Sequence, residues 1–261
     1  MDEYVEYEIP TPLRPYVAAI SGYHLSGYRS GTHVGLPSAS LTCVFDFGDG
    51  LDLSGMNLAE PQRFSTTTAG LYAGPVTIHH DGHQHGVMLM LTPLGLRGLF
   101  GTPAAELAGT VVELTDLLGR DGARLADQVR SAPGWTGLDV LSDALLRRLP
   151  EHGPDDVAAQ VWSRVRRGGG AATVTELVRE SGWSERHLRN ATRSAYGVGP
   201  KTLSRLLRFE RSVERVRTGA RLADVAAVCG YADQAHLARD WRELAGRSPS
   251  AWLRAEEFVP A

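Results

Sequence analysis

Two groups of residues carry enough chemistry to suggest a task. Arg186, His187, Arg189 and Asn190 crowd one stretch of the C-terminal third, and Asp233, Gln234, His236 and Arg239 crowd another further on. The forked donors of arginine match guanine O6 and N7, and the paired donor and acceptor of Asn or Gln match adenine N6 and N7. Such residues on the outer side of a helix are equipped to read base edges in a duplex groove. The second group is His79, His80, His83 and His85. Imidazole nitrogens ligate metals, and His83-Gln84-His85 has a His-x-His spacing found in iron, manganese and zinc sites. Asp81-Gly82 between two apolar runs reads as a type I′ hairpin turn, which sets His80 opposite His83 and spreads the four rings over two faces. No Glu follows at a short offset. The expectation is an exposed hairpin tip and no metal or other cofactor, with His80, His83 and His85 the ligands if a metal were bound.

For the first group to work, helices must present it. Ala223 to Val228 is small and apolar at helical spacing, Gly230 supplies a positive-φ residue to end that helix, and Ala232 to Trp241 starts another. That is a helix-turn-helix pattern, in which Asp233, Gln234, His236 and Arg239 face outward and Ala235, Leu237 and Trp241 inward. The pattern occurs twice. Over Thr175 to Arg193, Leu177 matches Val225, Gly182 matches Gly230, Trp183 matches Tyr231, and Leu188 matches Leu237 after a one-residue shift. Thr173 with Glu176 makes a capping box for the first helix of that copy, and the preceding Gly168-Gly169-Gly170 reads as a flexible join. Gly197-Val198-Gly199-Pro200 corresponds to Gly246-Arg247-Ser248-Pro249, each placing proline near the first turn of a new helix. Between the copies, Pro200 to Arg217 is long enough for a helix of about 27 Å, the separation of groove segments roughly one DNA turn apart.

Residues 155–255 resemble the DNA-binding domain of the AraC/XylS family of bacterial transcription regulators. The resemblance rests on Gly230-Tyr231, on Asp233-Gln234-Ala235-His236-Leu237-Ala238-Arg239-Asp240-Trp241, and on Gly246-Arg247-Ser248-Pro249. The first copy departs from the family, with Asn190 and Thr192 where an arginine and an aromatic residue are usual. The resemblance implies double-stranded DNA as partner and RNA polymerase as a further one. The outward faces of the second helix of each motif place base readers at Arg186, His187, Arg189, Asn190, Asp233, Gln234, His236 and Arg239. Ser184, Arg193, Lys201, Arg205, Arg208 and Arg242 are the candidates for phosphate contacts.

The first 93 residues read as β-structure: Tyr4 to Ile9, Val17 to Leu25, Leu41 to Phe47, and Gly74 to Leu91 are rich in branched and aromatic residues. Helical spacing takes over at Leu94 to Leu99, Pro103 to Leu107, Leu114 to Leu118, Gly122 to Val129 and Leu138 to Leu149. The fold class is therefore α+β. A β-rich sandwich or barrel with a helical segment (1–93 and 94–150) precedes a linker at 151–154, an all-α domain of two helix-turn-helix motifs joined by a long helix (155–255), and a tail (256–261). The N-terminal layout is similar to the cupin-like sensor half that many family members carry, which implies a small-molecule effector or a protein partner there. Leu138, Leu141, Leu145 and Leu149, with Leu125 and Val129, form apolar stripes that either cover the sheet or leave surface for a second copy, making a homodimer.

Charge supports the division. Residues 1–154 hold 9 Arg against 17 Asp and Glu, net −8, while residues 155–261 hold 17 Arg and one Lys against 13, net +5. The basic half is the half with the repeated motif, as phosphate neutralisation requires. The acidic N-terminus has no leader pattern and no run is apolar enough for a membrane helix, so a cytoplasmic protein, associated with the nucleoid when bound to DNA, is expected. Cys43 and Cys229 lack metal spacing and read as small core residues. No nucleophile elbow, phosphate loop or dinucleotide fingerprint is present, and the reading is a non-enzyme. Two readings compete with it: a cupin-type metalloenzyme with a DNA-binding tail, and a helical adaptor that binds protein. If the charge split serves DNA, residues 155–261 alone bind duplex with an affinity that falls steeply with salt, each phosphate contact adding about −0.9 to the log–log slope. Gel shifts at several salt concentrations measure this, and a flat response contradicts it.

Overall fold

The structure is a computed structural model that describes residues 2–255, so the tail expected at 256–261 lies outside the described residues. The strands are β1 (Glu3–Glu6), β2 (Val17–Leu25), β3 (Gly31–Gly35), β4 (Leu41–Asp46), β5 (Leu51–Gly55), β6 (Leu58–Phe64), β7 (Thr66–Ala69), β8 (Val76–His80), β9 (Gln84–Leu91) and β10 (Val111–Glu113). They form two antiparallel sheets, ordered β1-β2-β9-β4-β7-β10 and β3-β8-β5-β6. In β4 and β9 the side chains alternate: Leu41, Cys43 and Phe45 with Val87, Leu89 and Leu91 are buried in the main core, whereas Thr42, Val44, Met88 and Met90 line a space shared with the smaller sheet. Both faces are covered, which is why Val87 to Leu91 reads as an unbroken apolar run rather than an alternating one.

The Asp81-Gly82 hairpin is not formed. β8 pairs with β3 and β5, and β9 pairs with β2 and β4, so the chain crosses from one sheet to the other between His80 and Gln84. Gly82 does adopt positive φ (102°), but a Cβ there would lie 2.1 Å from the Tyr28 carbonyl oxygen. The glycine answers a close backbone approach rather than a two-residue turn. His80 consequently faces His33, its ring 5.4 Å away, and His85 stacks on His24 at 4.6 Å.

The main core lies on the other face of the six-stranded sheet, beneath helices α1 (Pro93–Phe100), α2 (Leu114–Leu118), α3 (Arg120–Ser131) and α4 (Gly137–Leu146). Leu125, Val129, Leu138, Leu141 and Leu145 are all buried there. These five residues cover the sheet, and Leu149, the last of the stripe, packs half-buried against the same core.

The C-terminal half is wholly helical: α5 (Val157–Arg167), α6 (Val174–Ser181), α7 (Glu185–Tyr196), α8 (Pro200–Arg217), α9 (Leu222–Cys229), α10 (Gln234–Ala245) and α11 (Pro249–Ala255). Thr173 and Glu176 close the expected capping box on α6. Gly182 and Gly230 end α6 and α9 in the left-handed conformation, at φ 73° and 78°. The long helix spans the expected residues. Its Leu203, Leu206, Phe209, Val213 and Val216 are buried, with the Phe209 ring tilted against Trp241 at 5.0 Å and Trp241 tilted against Trp252 at 5.4 Å.

The triple glycine is a packed turn, not a loose join. The Gly169 carbonyl accepts from Arg211 Nη1 at 3.1 Å, and a Cβ on Gly170 (φ 79°) would lie 2.4 Å from the Ser204 carbonyl oxygen. Gly182, at a similar φ, has open space around its absent side chain. Left-handed strain alone puts the cost of Gly182→Ala at ~1 kcal/mol, and the added backbone clash should raise that of Gly170→Ala to ~3 kcal/mol. Urea unfolding of the two variants measures the difference; equal losses would refute the packed turn.

Candidate nucleic-acid interface

Each recognition helix begins at a side-chain cap. Ser184 Oγ accepts from the His187 amide at 3.3 Å at the start of α7, and Asp233 Oδ1 accepts from the His236 amide at 2.6 Å at the start of α10. The caps satisfy amides that a helix N-terminus leaves open and set where the first outward turn points. On α7, Leu188, Thr192 and Tyr196 are buried, which turns Arg186, His187, Arg189, Asn190 and Arg193 to the exposed side. Thr192 donates its hydroxyl to the Leu188 carbonyl at 2.9 Å and so satisfies itself within its own helix.

On α10 the buried stripe is Leu237, Asp240, Trp241 and Leu244, spaced three, one and three residues apart. Ala235 falls off that stripe and is exposed, contrary to the inward position expected for it. Gln234 and Arg239 are exposed. Asp233 and His236 are engaged locally: the Asp233 carboxylate caps the helix, and His236 Nδ1 accepts from the Ala232 amide at 3.3 Å while its ring meets Tyr231 edge-on.

The candidate phosphate contacts divide. Ser184, Arg193, Lys201 and Arg242 are exposed. Arg205 instead bridges α8 to α10, its Nε 2.8 Å from Asp240 Oδ1 and its Nη2 against Glu243. Burial works against its charge, but Asp240 and Glu243 outweigh that and hold its pKa above the usual range. Arg208 lies half-buried with its guanidinium 5.5 Å from the centre of the Tyr231 ring. Charge alone marks these two arginines as phosphate contacts, and the sequence carries no signal that separates them from exposed ones.

The histidines do not assemble. His79 Nε2 lies 2.8 Å from Ser54 Oγ on the smaller sheet, whereas His85 sits on the larger one between His24 and Trp135. Among the described residues no group of three or more His, Cys, Asp and Glu side chains could hold a metal.

A second feature lay outside the reach of sequence reasoning. Between the sheets is a cavity of about 390 Å³, walled by Tyr23, Leu53, Met88 and Met90 and also by Arg217 and Trp252 of the C-terminal half. Burial, with His80 adding to it, pushes His33 on its wall down to about 4, so this imidazole is neutral near pH 7. Trp252 is buried and its Nε1 donor has no hydrogen-bond partner. The guanidinium of Arg217 lies 5.6 Å from the Trp252 ring centre. The loop between β3 and β4 touches both features: Leu36, Pro37 and Ser38 line the cavity, and the Ala39 amide donates to Glu210 Oε2 on α8 at 3.4 Å.

Residues 177–255 match the family model described as a helix-turn-helix domain. No curated protein matches the chain. Among solved structures, ToxT from Vibrio cholerae aligns with a TM-score of 0.55 at 12% identity, over 92% of this chain and 100% of that one. ToxT with a bound unsaturated fatty acid aligns at 0.54 and 12% identity, over 98% and 99%. ToxT bound to (E)-4-(8-methylnaphthalen-1-yl)but-3-enoic acid aligns at 0.52 and 13% identity, over 91% and 99%. At these identities the likeness is one of fold. Among the described residues no helix is long and apolar enough to cross a membrane.

The division between bridged and exposed arginines in this half has a measurable consequence. Arg205→Ala leaves Asp240, 8% exposed, without its partner and is expected to cost ~1–3 kcal/mol. The exposed Lys201→Ala and Arg193→Ala should stay within ~0.5 kcal/mol of the parent. Thermal or urea unfolding decides, and an unchanged Arg205→Ala would return that residue to the pool of phosphate contacts.

Proposed function

We propose that the chain, whose residues 177–255 match a helix-turn-helix domain, is a DNA-binding transcription regulator of the AraC/XylS type that reads two successive major-groove segments under control of a ligand held between its sheets. The observation that carries the first part is the pair of capped helices, α7 and α10, with polar residues turned outward and one continuous helix between them. Arg186, Arg189 and Asn190 are the base readers of α7, and Gln234 and Arg239 those of α10. Ser184, Arg193, Lys201 and Arg242 hold the phosphates. Because both readers sit on one chain, the site is asymmetric and needs no palindrome. RNA polymerase is the partner through which occupancy becomes transcription, in the cytoplasm at the nucleoid, and the output is occupancy rather than a chemical reaction.

Cavity chemistry favours a small effector with an apolar body and an acidic head. Methionines and leucines provide the apolar wall, while Arg217 and the unpartnered Trp252 Nε1 provide a cation and a donor from the DNA-reading half. The fatty acid bound by ToxT has the same character. Such a ligand touches both halves at once, and the Ala39 to Glu210 contact gives the cavity loop a direct hold on α8.

One set of binding measurements tests both parts. Full-length chain is titrated against a duplex library of single-base changes, with and without the medium-chain acid 10-undecenoate. Arg186→Ala or Arg189→Ala should lose ~1–3 kcal/mol on the best site and relax preference at one base position, whereas Lys201→Ala weakens all sequences alike. Undecenoate should shift the affinity of the parent and act at least ~10-fold more weakly on Arg217→Gln. Even losses across the library would remove the arginines as readers, and an acid effect indifferent to Arg217 would remove the proposed head site.

A further inference from the structure

A second cavity, of about 310 Å³, lies where the two halves of the chain meet. Its walls come from three separate segments: Tyr16 with Leu94 and Arg97 of the N-terminal half, Pro150 and Asp156 of the connection, and Tyr196 at the last turn of α7. Tyr196 is 3% exposed and its hydroxyl has no hydrogen-bond partner. That hydroxyl lies within electrostatic reach of Asp156 and Arg97, and burial pushes its pKa far above the ordinary tyrosine range, so it remains a neutral donor. Buried donors are almost always satisfied by protein, water or ligand.

The polar groups restrict what fits. Arg97 Nη1 is 3.4 Å from Asp156 Oδ2, a loose pair, while Asp156 Oδ1 is already occupied by the Ala159 amide at 2.8 Å. One cation and one anion face the space together, and Asp155 adds a second carboxylate to the lining. An anionic ligand would meet two carboxylates, and a cationic one would meet the guanidinium. A neutral group that accepts on one side and donates on the other matches both. The volume is near the lower bound of ligand pockets, about 300–1,000 Å³, which allows one ring with a short substituent.

We propose that this junction is a second small-molecule site, separate from the cavity between the sheets, and that it takes a neutral one-ring carboxamide. The amide oxygen accepts from Tyr196 and Arg97, the amide N–H donates to Asp156 Oδ2, and the ring rests on Leu94, Pro150 and Tyr16. Because the walls belong to both halves, an occupant ties the end of the first recognition helix to the N-terminal half.

Benzamide is the probe, titrated into the full-length chain by calorimetry and ligand-observed NMR. Saturable binding is expected, weakened about tenfold or more by Tyr196→Phe, which removes only the hydroxyl. Leu94→Trp, which fills the space from the opposite wall, should abolish binding while the parent's unfolding temperature is kept. Benzoate and benzylamine should bind more weakly than benzamide, and saturating 10-undecenoate should not displace it. That last arm separates this site from the cavity between the sheets, whose own reading stands or falls with Arg217. No saturable binding up to about 10 mM, a range that still detects interactions weaker than about −4 kcal/mol, would overturn the proposal. Equal binding by Tyr196→Phe or displacement by undecenoate would overturn it too.

Discussion

The arrangement depends on burying one face of α8 along its length. Leu203, Leu206, Phe209, Val213 and Val216 can leave water only if α5 and α7 pack on one part of the helix and α9 and α11 on another. Trp241 fixes α10 to the same core through Phe209 and through its Nε1 donor to Ser212 Oγ at 2.9 Å. The two reading helices therefore have little freedom to change their separation, since sliding either one would open voids beside large rings. The distance between α7 and α10 is a property of this core, not of the side chains they turn outward.

The same burial explains what could and could not be read in the sequence. Both helix-turn-helix copies were legible because their signals are local: Thr173 and Glu176 form a cap within three residues, and Gly182 and Gly230 sit where only a left-handed residue ends the helix cleanly. The exposed positions on α7 followed from the same 3.6-residue period. Sheet partners were not legible. β3, β5 and β7 are short and rich in Gly, Ser and Thr, and β6 carries Pro61 on the outer strand of its sheet, where a missing amide donor is tolerated. Asp81-Gly82 gave a correct local message, that glycine is needed, and a wrong tertiary one, because the need comes from the Tyr28 backbone. Arg205 and Arg208 show the same limit at the site: whether an arginine meets phosphate or a neighbouring helix is decided by residues 23 to 38 positions away.

The cavity between the sheets was invisible for a related reason. Its lining is the even-numbered side of β4 and β9, and the apolar run of Val87 to Leu91 conceals that alternation because the odd-numbered side is buried as well. Only the packing of a second sheet separates a core face from a cavity face. Arg217 and Trp252 carry no mark of membership either, since by sequence they belong to a helix end and to the last helix of the DNA-reading half.

Their position decides how a ligand between the sheets could influence DNA. A ligand shifts a conformational equilibrium only through a difference in affinity for the two states. If the cavity were closed by the N-terminal half alone, an occupant would meet the same walls however the C-terminal half moved, and no coupling would follow. Here Arg217 ends α8 and Trp252 lies in the core that fixes α10, so part of the wall moves whenever the reading helices move relative to the sheets. The Ala39 amide on Glu210 adds a second link at the middle of α8. Under the proposed reading, occupancy and the placement of α7 and α10 would be tied by contacts with the same helix, with no chain of intermediates between two remote sites.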